Sequence, residues 1–488
     1  MPIYPWLVVG TVCIGAFMGQ LDASIAQLLL PTLQSTFKVS LAAVSWVSLT
    51  YLLVLAATLP IFGRIADLIG RKFLYVFGFV VFIAGSALCG FAASLALLIA
   101  ARVIQAIGAA MLQANSVAIV SAAAGPKRRG HALGIQGAAQ ALGLSAGPAF
   151  GGLLIQTLGW RWVFWLNVPV GIAGALLATF ILPRTRHLVR GDARFDWLGA
   201  ALLAPALVLV LFGVVTAPDG GTALRLALGL MAAGAALLFA FVRHERGTPH
   251  PLLNLSLFRS AAFSAGNTAG LIAYALLFGV FLLVPFGLER GAAATPLHAG
   301  LVLMAVPIAI ALTAPFSGAF SDRLGHRLLT FSGMVIAAIG LAALAFIFDS
   351  AAANVGAVTI ALAVFGIGQG IFAAPNNSAI MGAAPHTALG AAGGILSVVR
   401  ALGTSIGVAL ASALLSWRIT ASLDPTGNRS EVYLSAVHDA LLVFMILALL
   451  AAAISLLRGT SRDTRERVPS PERHRLLRST LAPKRRPK

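Results

Sequence analysis

The sequence predicts an all-α protein that crosses a membrane many times. Three observations carry this. The 488 residues are 59% hydrophobic and only 10% charged, whereas a soluble domain carries about 25% charged residues. The apolar residues fall in repeated runs of about twenty, the length that crosses a bilayer as a helix. A Gly- and Asp-containing turn between two such runs occurs twice, which implies two related halves.

The runs place spans at 6–30, 41–61, 73–93, 95–122, 131–157, 162–182, 195–215, 222–242, 261–287, 298–318, 328–348, 353–377, 391–416 and 436–457, fourteen in all. The first is too long for the apolar core of a signal peptide and lacks a basic flank. The repeated turn reads Gly63-Arg64-Ile-Ala-Asp67-Leu-Ile-Gly70-Arg71-Lys72 after span two and Gly318-Ala-Phe-Ser-Asp322-Arg323-Leu-Gly325-His326-Arg327 after span ten. That spacing gives an N-terminal six-helix bundle at 1–182, a two-helix insert with basic flanks at 183–258 and a C-terminal six-helix bundle at 259–457. A basic tail, 458–488, is rich in Pro and Arg, a composition that favours disorder.

A net charge of +19 is compatible with nucleic-acid binding in a soluble chain. Here its distribution argues for topology instead. With the N-terminus inside, only Lys38, Arg161, Arg225, Arg290, Arg418 and Arg429 of the 34 Lys and Arg residues fall on the outer side. Arg102 and Arg400 fall within spans, and all the others lie in inner loops or the tail. This bias predicts both termini in the cytoplasm and no nucleic-acid partner. The partners expected instead are the lipid bilayer and a small-molecule substrate.

Of the 15 acidic residues, Asp22 alone falls clearly inside a span. A carboxylate at a helix centre costs on the order of 3 kcal/mol, and intramembrane acids mark ion pathways and proton relays. Arg102, well inside span four, needs a counter-charge, and Asp22 is the candidate. The pair reads either as proton-coupling residues or as a static tie between spans one and four; the first is preferred. Asp22 lies roughly 24 Å along its helix from Trp6, nearer the outer side.

On span four Gln105, Gln113 and Ser116 share one broad face with Arg102. On span five Gln136 and Gln140 are one turn apart. In the second half Asn267, Tyr274, Phe281, Gln369, Asn376 and Asn377 are similar candidates in apolar walls. Such groups orient ligands in a cavity or bond between helices. Gly143, Gly147 and Gly151 recur every fourth residue on span five, with Pro148 and Gly152 beside them. They form a smooth, bent face for close packing. Gly63, Arg64, Asp67, Gly70, Arg71 and Asp322 belong to the repeated turns. They read either as ordinary basic turns or, as the repetition favours, as a latch between helices that biases one conformation.

No enzyme is expected. Gly-x-Ser-x-Gly occurs at Gly143–Gly147 and Gly403–Gly407, but both lie inside apolar spans with no strand before the serine. No Lys is followed by Ser or Thr, so no Walker A motif exists, and no His-Glu-x-x-His occurs. Cys13 and Cys89 both lie in spans and suggest neither a disulfide nor a metal site. No cofactor is expected.

Together these residues resemble the major facilitator superfamily, and within it the fourteen-span drug:proton antiporters. The turn at 63–72 is similar to its signature loop. Arg102-Val-Ile-Gln105-Ala-Ile-Gly108 resembles the span-four motif and Gly143–Gly152 the span-five antiporter motif. Leu21-Asp22-Ala-Ser-Ile-Ala-Gln-Leu-Leu-Leu-Pro31 resembles the span-one motif. Trp160-Arg-Trp-Val-Phe-Trp-Leu-Asn167-Val-Pro169-Val-Gly171 and Pro375-Asn376…Gly390…Arg400…Gly403 are similar to further hallmarks of that branch. Ala106 and Gln27 depart from the pattern, which usually has Gly and Asn there.

The resemblance implies the major facilitator fold, two six-helix bundles plus two extra central helices. It implies a multidrug-type exporter of amphipathic or cationic organic compounds in a bacterial cytoplasmic (inner) membrane, driven by protons through alternating access. The alternative is a dedicated exporter of one endogenous metabolite, such as an antibiotic or siderophore. Periplasmic adaptor and outer-membrane channel proteins are implied as candidate partners. A second acid in a cavity-facing span, which some relatives use for dicationic drugs, is not seen, which disfavours dications. A sensor or scaffold is disfavoured because only short loops and the tail lie outside the spans.

Overall fold

The computed structural model describes residues 4–125, 128–183, 196–217, 221–248, 252–253, 255–349, 354–385, 389–421 and 429–457. Among them no strand occurs, and fourteen segments are long and apolar enough to cross a membrane. The N-terminal half comprises α1 (Tyr4–Phe37), α2 (Leu41–Ile69), α3 (Arg71–Phe91), α4 (Leu95–Ala124), α5 (Arg129–Thr157) and one span broken into α6 (Arg161–Trp165) and α7 (Asn167–Ile181). The insert is α8 (Trp197–Thr216) and α9 (Gly221–Gly247). The C-terminal half comprises α10 (Ala261–Phe286), a span broken into α11 (Pro296–Leu303) and α12 (Ala305–Leu324), then α13 (His326–Asp349), α14 (Val355–Gly382), α15 (Leu389–Ala421) and α16 (Arg429–Leu456). The chain thus forms two six-span bundles with two additional spans between them in sequence. Helix α8 packs on α2 and α15 at the seam between the halves, and α9 packs on α8.

Local chemistry sets the helix ends. Ser40, Ser94, Asp196, Ser260, Thr295 and Asn354 precede helices, and each side chain accepts a hydrogen bond from a backbone N–H of the first turn. These contacts satisfy donors that a helix start leaves unpaired. Pro285 lies one residue before the end of α10, and the chain continues through a π turn, Gly287–Gly291, before α11.

The two repeated turns are built alike. Gly70 separates α2 from α3 with φ 103°, and Gly325 separates α12 from α13 with φ 82°. Each donates its N–H four residues back, to the carbonyls of Ala66 and Ser321. The left-handed backbone lets one helix end and the next begin with no intervening loop. The side chains of Asp67 and Asp322 lie outside the described residues, as do Arg184 to Arg194 and the tail 458–488. Gly70→Ala would force a Cβ into a region essentially reserved for glycine, at a cost of about 1–3 kcal/mol. The expected result is a lower melting temperature in detergent for Gly70→Ala and for Gly325→Ala; an unchanged midpoint for both would refute the strain.

Tight seams inside each half use glycine. Gly85 of α3 leaves only 2.6 Å between a built Cβ and the Gln105 Cα of α4, and Gly108 leaves 2.7 Å to the Phe82 Cα. On α5, Gly143 meets the Phe17 carbonyl, Gly147 the Ser24 hydroxyl and Gly151 the Ile25 side chain of α1. This is the smooth face expected of the four-residue glycine spacing, with α1 as its partner.

Candidate functional site

The interior acid is fully paired. Asp22 Oδ2 accepts from Arg102 Nη1 at 2.7 Å. Its Oδ1 accepts from Gln105 Nε2 at 2.8 Å and from Asn167 Nδ2 at 3.0 Å. Arg102 donates further to Gln105 Oε1 at 2.7 Å and, through Nε, to the Val47 carbonyl at 3.0 Å. Gln105 Nε2 also reaches Ser86 Oγ at 2.8 Å. Asp22 and Asn167 are 2% exposed, Arg102 1% and Gln105 0%. The guanidinium lies 4.1 Å from the centre of the Tyr51 ring, a cation–π contact on top of the hydrogen bonds. A charge pair in so dry a site is tolerable because nearly every lone pair and proton has a partner.

The sequence explains how these groups converge. The break between α6 and α7 falls at Leu166, and Asn167 opens α7 facing α1. Aromatic packing fixes that break: Trp165 stands edge-on to Phe91 at 4.6 Å, and Trp160 packs on Phe37 at 5.7 Å. Gly171 lets α7 approach Ile83 of α3 and Met18 of α1.

The site has a second part. A central cavity of 230 Å³ lies between the halves, lined by Gln20, Tyr51, Gln113, Gln140, Tyr274 and Arg400 among others. A larger cavity of 720 Å³ leads from it to the face that carries the repeated turns, where Arg64, Arg71 and Asp196 line it. Gln113 and Ser397 belong to both walls, so the two cavities adjoin. We call this face the basic face.

Towards the opposite face the halves are closed on each other. Ser45 of α2 and Ser412 of α15 share a hydrogen bond of 2.7 Å, and Arg290 donates to the Pro31 carbonyl at 2.6 Å. Gly152 of α5 would leave a Cβ only 2.6 Å from the Pro296 carbonyl of α11, and Gly300 of α11 lies against the Pro148 carbonyl of α5. The molecule is therefore open at the basic face and sealed at the other.

The structure sorts the expected residues into three groups. Asp22 and Arg102 meet as expected. Gln113, Gln140 and Tyr274 line the central cavity. Gln105, Gln136, Asn267, Gln369 and Asn376 are buried and do not line it. Gln105 belongs to the Asp22 cluster. Gln136 donates to Ser116 at 2.9 Å, Asn267 to the Phe263 carbonyl at 2.9 Å and Gln369 to the Ala273 carbonyl at 3.2 Å. On the repeated turn, Gly63, Arg64 and Arg71 line the wide cavity. Asn167, Ser86 and Tyr51 were not singled out as site residues. Only Asn167, inside a hallmark stretch, carried a signal that could have found it.

The sequence matches the Major Facilitator Superfamily over residues 12–407 and 266–487. It is 35% identical over 420 residues to the riboflavin transporter RibZ of Clostridioides difficile, covering 85% of this chain and 89% of that one. It is 34% identical over 435 residues to the multidrug resistance protein B homolog of Mycobacterium tuberculosis, covering 88% and 78%. It is 30% identical over 416 residues to the tetracenomycin C resistance and export protein of Streptomyces glaucescens, covering 85% and 77%. Among solved structures, the POT family transporter PepTSo superposes with a TM-score of 0.67 at 15% identity, covering 96% of this chain and 99% of that one. A bacterial homolog of the human lysosomal transporter Spinster gives 0.66 at 17%, covering 96% and 100%. The chain belongs to the Major Facilitator Superfamily and is a multi-pass membrane transporter of that family.

Proposed function

We propose that this protein is a proton-coupled exporter of amphipathic organic compounds, working by alternating access. The observation that carries the reading is a cavity between two bundles, open on one face only, one helix face away from a buried acid–base pair. Helix α1 joins the two: Gly19, Gln20 and Ala23 line the cavity, while Asp22 turns away into the N-terminal bundle. Tyr51 bridges them, with its ring on the cavity wall and against Arg102.

The basic face is proposed as the cytoplasmic one, from the Lys and Arg bias, with both termini there. The bundles at 1–182 and 259–457 then rock about the cavity, with 183–258 as an inserted pair. Substrate enters from the cytoplasm in the observed state. When the opposite side opens, a proton from outside neutralises Asp22 and frees Arg102. The changed packing of Tyr51 and α1 lowers the hold on substrate. Return of the proton to the cytoplasm resets the cycle. A membrane potential supplies about 2.3 kcal/mol per charge per 100 mV, before any pH difference. The names of the mycobacterial and Streptomyces relatives support export. The riboflavin transporter among the relatives favours, as a second reading, a dedicated carrier of one metabolite.

Reconstitution in liposomes tests this. With an imposed pH gradient, a panel of neutral, cationic and anionic amphipathic dyes is followed together with internal pH. Movement of at least one dye that dissipates the gradient is expected. Dye movement with no accompanying proton flux would remove antiport from the reading and leave a passive or differently coupled carrier.

A further inference from the structure

We infer that the central cavity selects organic acids, with Arg400 as the group that receives the substrate's carboxylate. This deepens the proposed function and rests on its assignment of that cavity as the substrate site. Arg400 projects from α15 into the cavity wall. Among the described residues its one hydrogen bond runs from Nη1 to Gln140 Oε1 of the other half, at a long 3.3 Å. Its Nε is shielded from solvent and has no hydrogen-bond partner. The guanidinium carbon stands 5.1 Å from the centre of the Tyr274 ring. Among the described residues no carboxylate lines the central cavity.

The contrast with Arg102 is informative. Both are interior cations of the same chain. Arg102 has a carboxylate, a side-chain amide and a backbone carbonyl around it, while among the described residues Arg400 has one neutral amide at the limit of a hydrogen bond. A semi-buried cation with no counter-charge is costly unless something else supplies the charge. The acid nearest in function, Asp22, is consumed by Arg102 and faces away. A guanidinium with free donors suits a planar carboxylate, which it can grip through two parallel hydrogen bonds. The rest of the wall fits the body of such a molecule. Tyr274, Phe278, Leu277 and Leu55 offer apolar and aromatic surface, while Gln20 and Gln113 offer neutral polar contacts. On the way in, Arg64 and Arg71 line the wide cavity, with Asp196 as the one acid on that wall among the described residues. Positive walls raise the local concentration of anions. The position also suits a coupled cycle, because the Arg400–Gln140 contact spans the two halves. An anion bound there would take part in closing one half upon the other.

Equilibrium binding in nanodiscs tests the charge preference with no pH gradient, so it stands or falls apart from proton coupling. Three probes on one naphthyl frame are compared: 1-naphthylacetate, the neutral 1-naphthylacetamide and the cationic 2-(1-naphthyl)ethylamine. Naphthylacetate is expected to bind at least about ten-fold more tightly than the other two. Arg400→Gln should remove that preference and leave amide binding within about two-fold, whereas Arg400→Lys should keep part of it. Gln140→Glu places a carboxylate beside Arg400 and should abolish acid binding by filling the site from within, which answers the concern that Arg400→Gln merely unsettles the fold. Amine binding equal to or tighter than acid binding, no acid binding at millimolar concentration, or an equal loss of all three probes in Arg400→Gln would each overturn the assignment. If the acid binds as expected but the liposome experiment shows no proton flux, the substrate class stands and antiport falls.

Discussion

Asp22→Asn is expected to abolish proton-driven export, at least a hundred-fold in initial rate, in protein that still reaches the membrane. An amide cannot take up and release a proton, so the cycle loses its coupling step. It also disturbs the site at rest. Asp22 Oδ1 accepts from two amide donors, Gln105 Nε2 and Asn167 Nδ2, while Oδ2 accepts from Arg102. Asparagine keeps only one acceptor oxygen and points an NH2 group either at both amide donors or at Arg102. It also leaves the buried Arg102 without a counter-charge, a loss of about 3–5 kcal/mol where one partner of a buried pair is removed. Reduced stability would itself lower export, so a second variant separates the two effects. Asp22→Asn combined with Arg102→Gln removes both charges and should recover most of the melting temperature, but none of the proton-linked flux. The measurement is substrate-elicited pH change in liposomes at matched protein density. Near-normal flux in either variant would take Asp22 out of the mechanism.

The same cluster shows how far a sequence can be read and where reading stops. Asp22 and Arg102 could be paired in advance because an isolated charge in a span is so costly that each demands a partner. The fourteen spans were legible for a similar reason, since bilayer thickness dictates the length of apolar runs. The close packing of Gly143, Gly147 and Gly151 followed from their spacing, although the partner helix did not. What hydropathy does not carry is the exact rotation of each helix. Arg102, Gln105, Gln113 and Ser116 fit one broad face of α4, but the eight residues from Gln105 to Gln113 turn the helix by about 80°. That is enough to send Gln105 to Asp22 and Gln113 to the cavity. Ser86 and Tyr51 have side chains common in any span, and only the three-dimensional arrangement shows what they touch. The breaks at Leu166 and Met304, which divide two spans into α6/α7 and α11/α12, each precede a proline by three residues, Pro169 and Pro307. A proline leaves the carbonyl four residues back without its donor, but prolines also sit within unbroken helices of this chain, so the trace was there without being decisive. Arg400 was legible as a buried cation lacking an acid in its own half. That its hydrogen bond among the described residues would go to Gln140, in the other half, was not.

The contact between α5 and α11 sets the second large effect. Gly152 and Gly300 lie on the same seam between the halves, each against the other helix's backbone: Gly152 on Pro296 and Leu297, Gly300 on Pro148. A side chain at either position meets main chain, which cannot rotate away as a side chain can. For Gly300 a built Cβ would also lie 2.9 Å from the Pro148 carbonyl carbon and 3.3 Å from Leu28. Gly300→Val should therefore prevent the halves from meeting at this end, while each bundle keeps its own interior. Gly108→Val, by contrast, would drive α4 from α3 within one bundle and is expected to impair folding itself. The expected result for Gly300→Val is normal expression, a melting temperature within a few degrees of wild type, and export reduced at least ten-fold. Accessibility should reverse as well. A cysteine placed at the cavity-lining Ala141, with Cys13 and Cys89 replaced by Ser and Ala, should react with a membrane-impermeant maleimide from the basic face in the parent and from the opposite face in Gly300→Val. Unchanged sidedness together with unimpaired export would show that the α5–α11 seam is not the gate. Reversed sidedness would show that this glycine contact is what allows the state with its cavity open to the basic face to form.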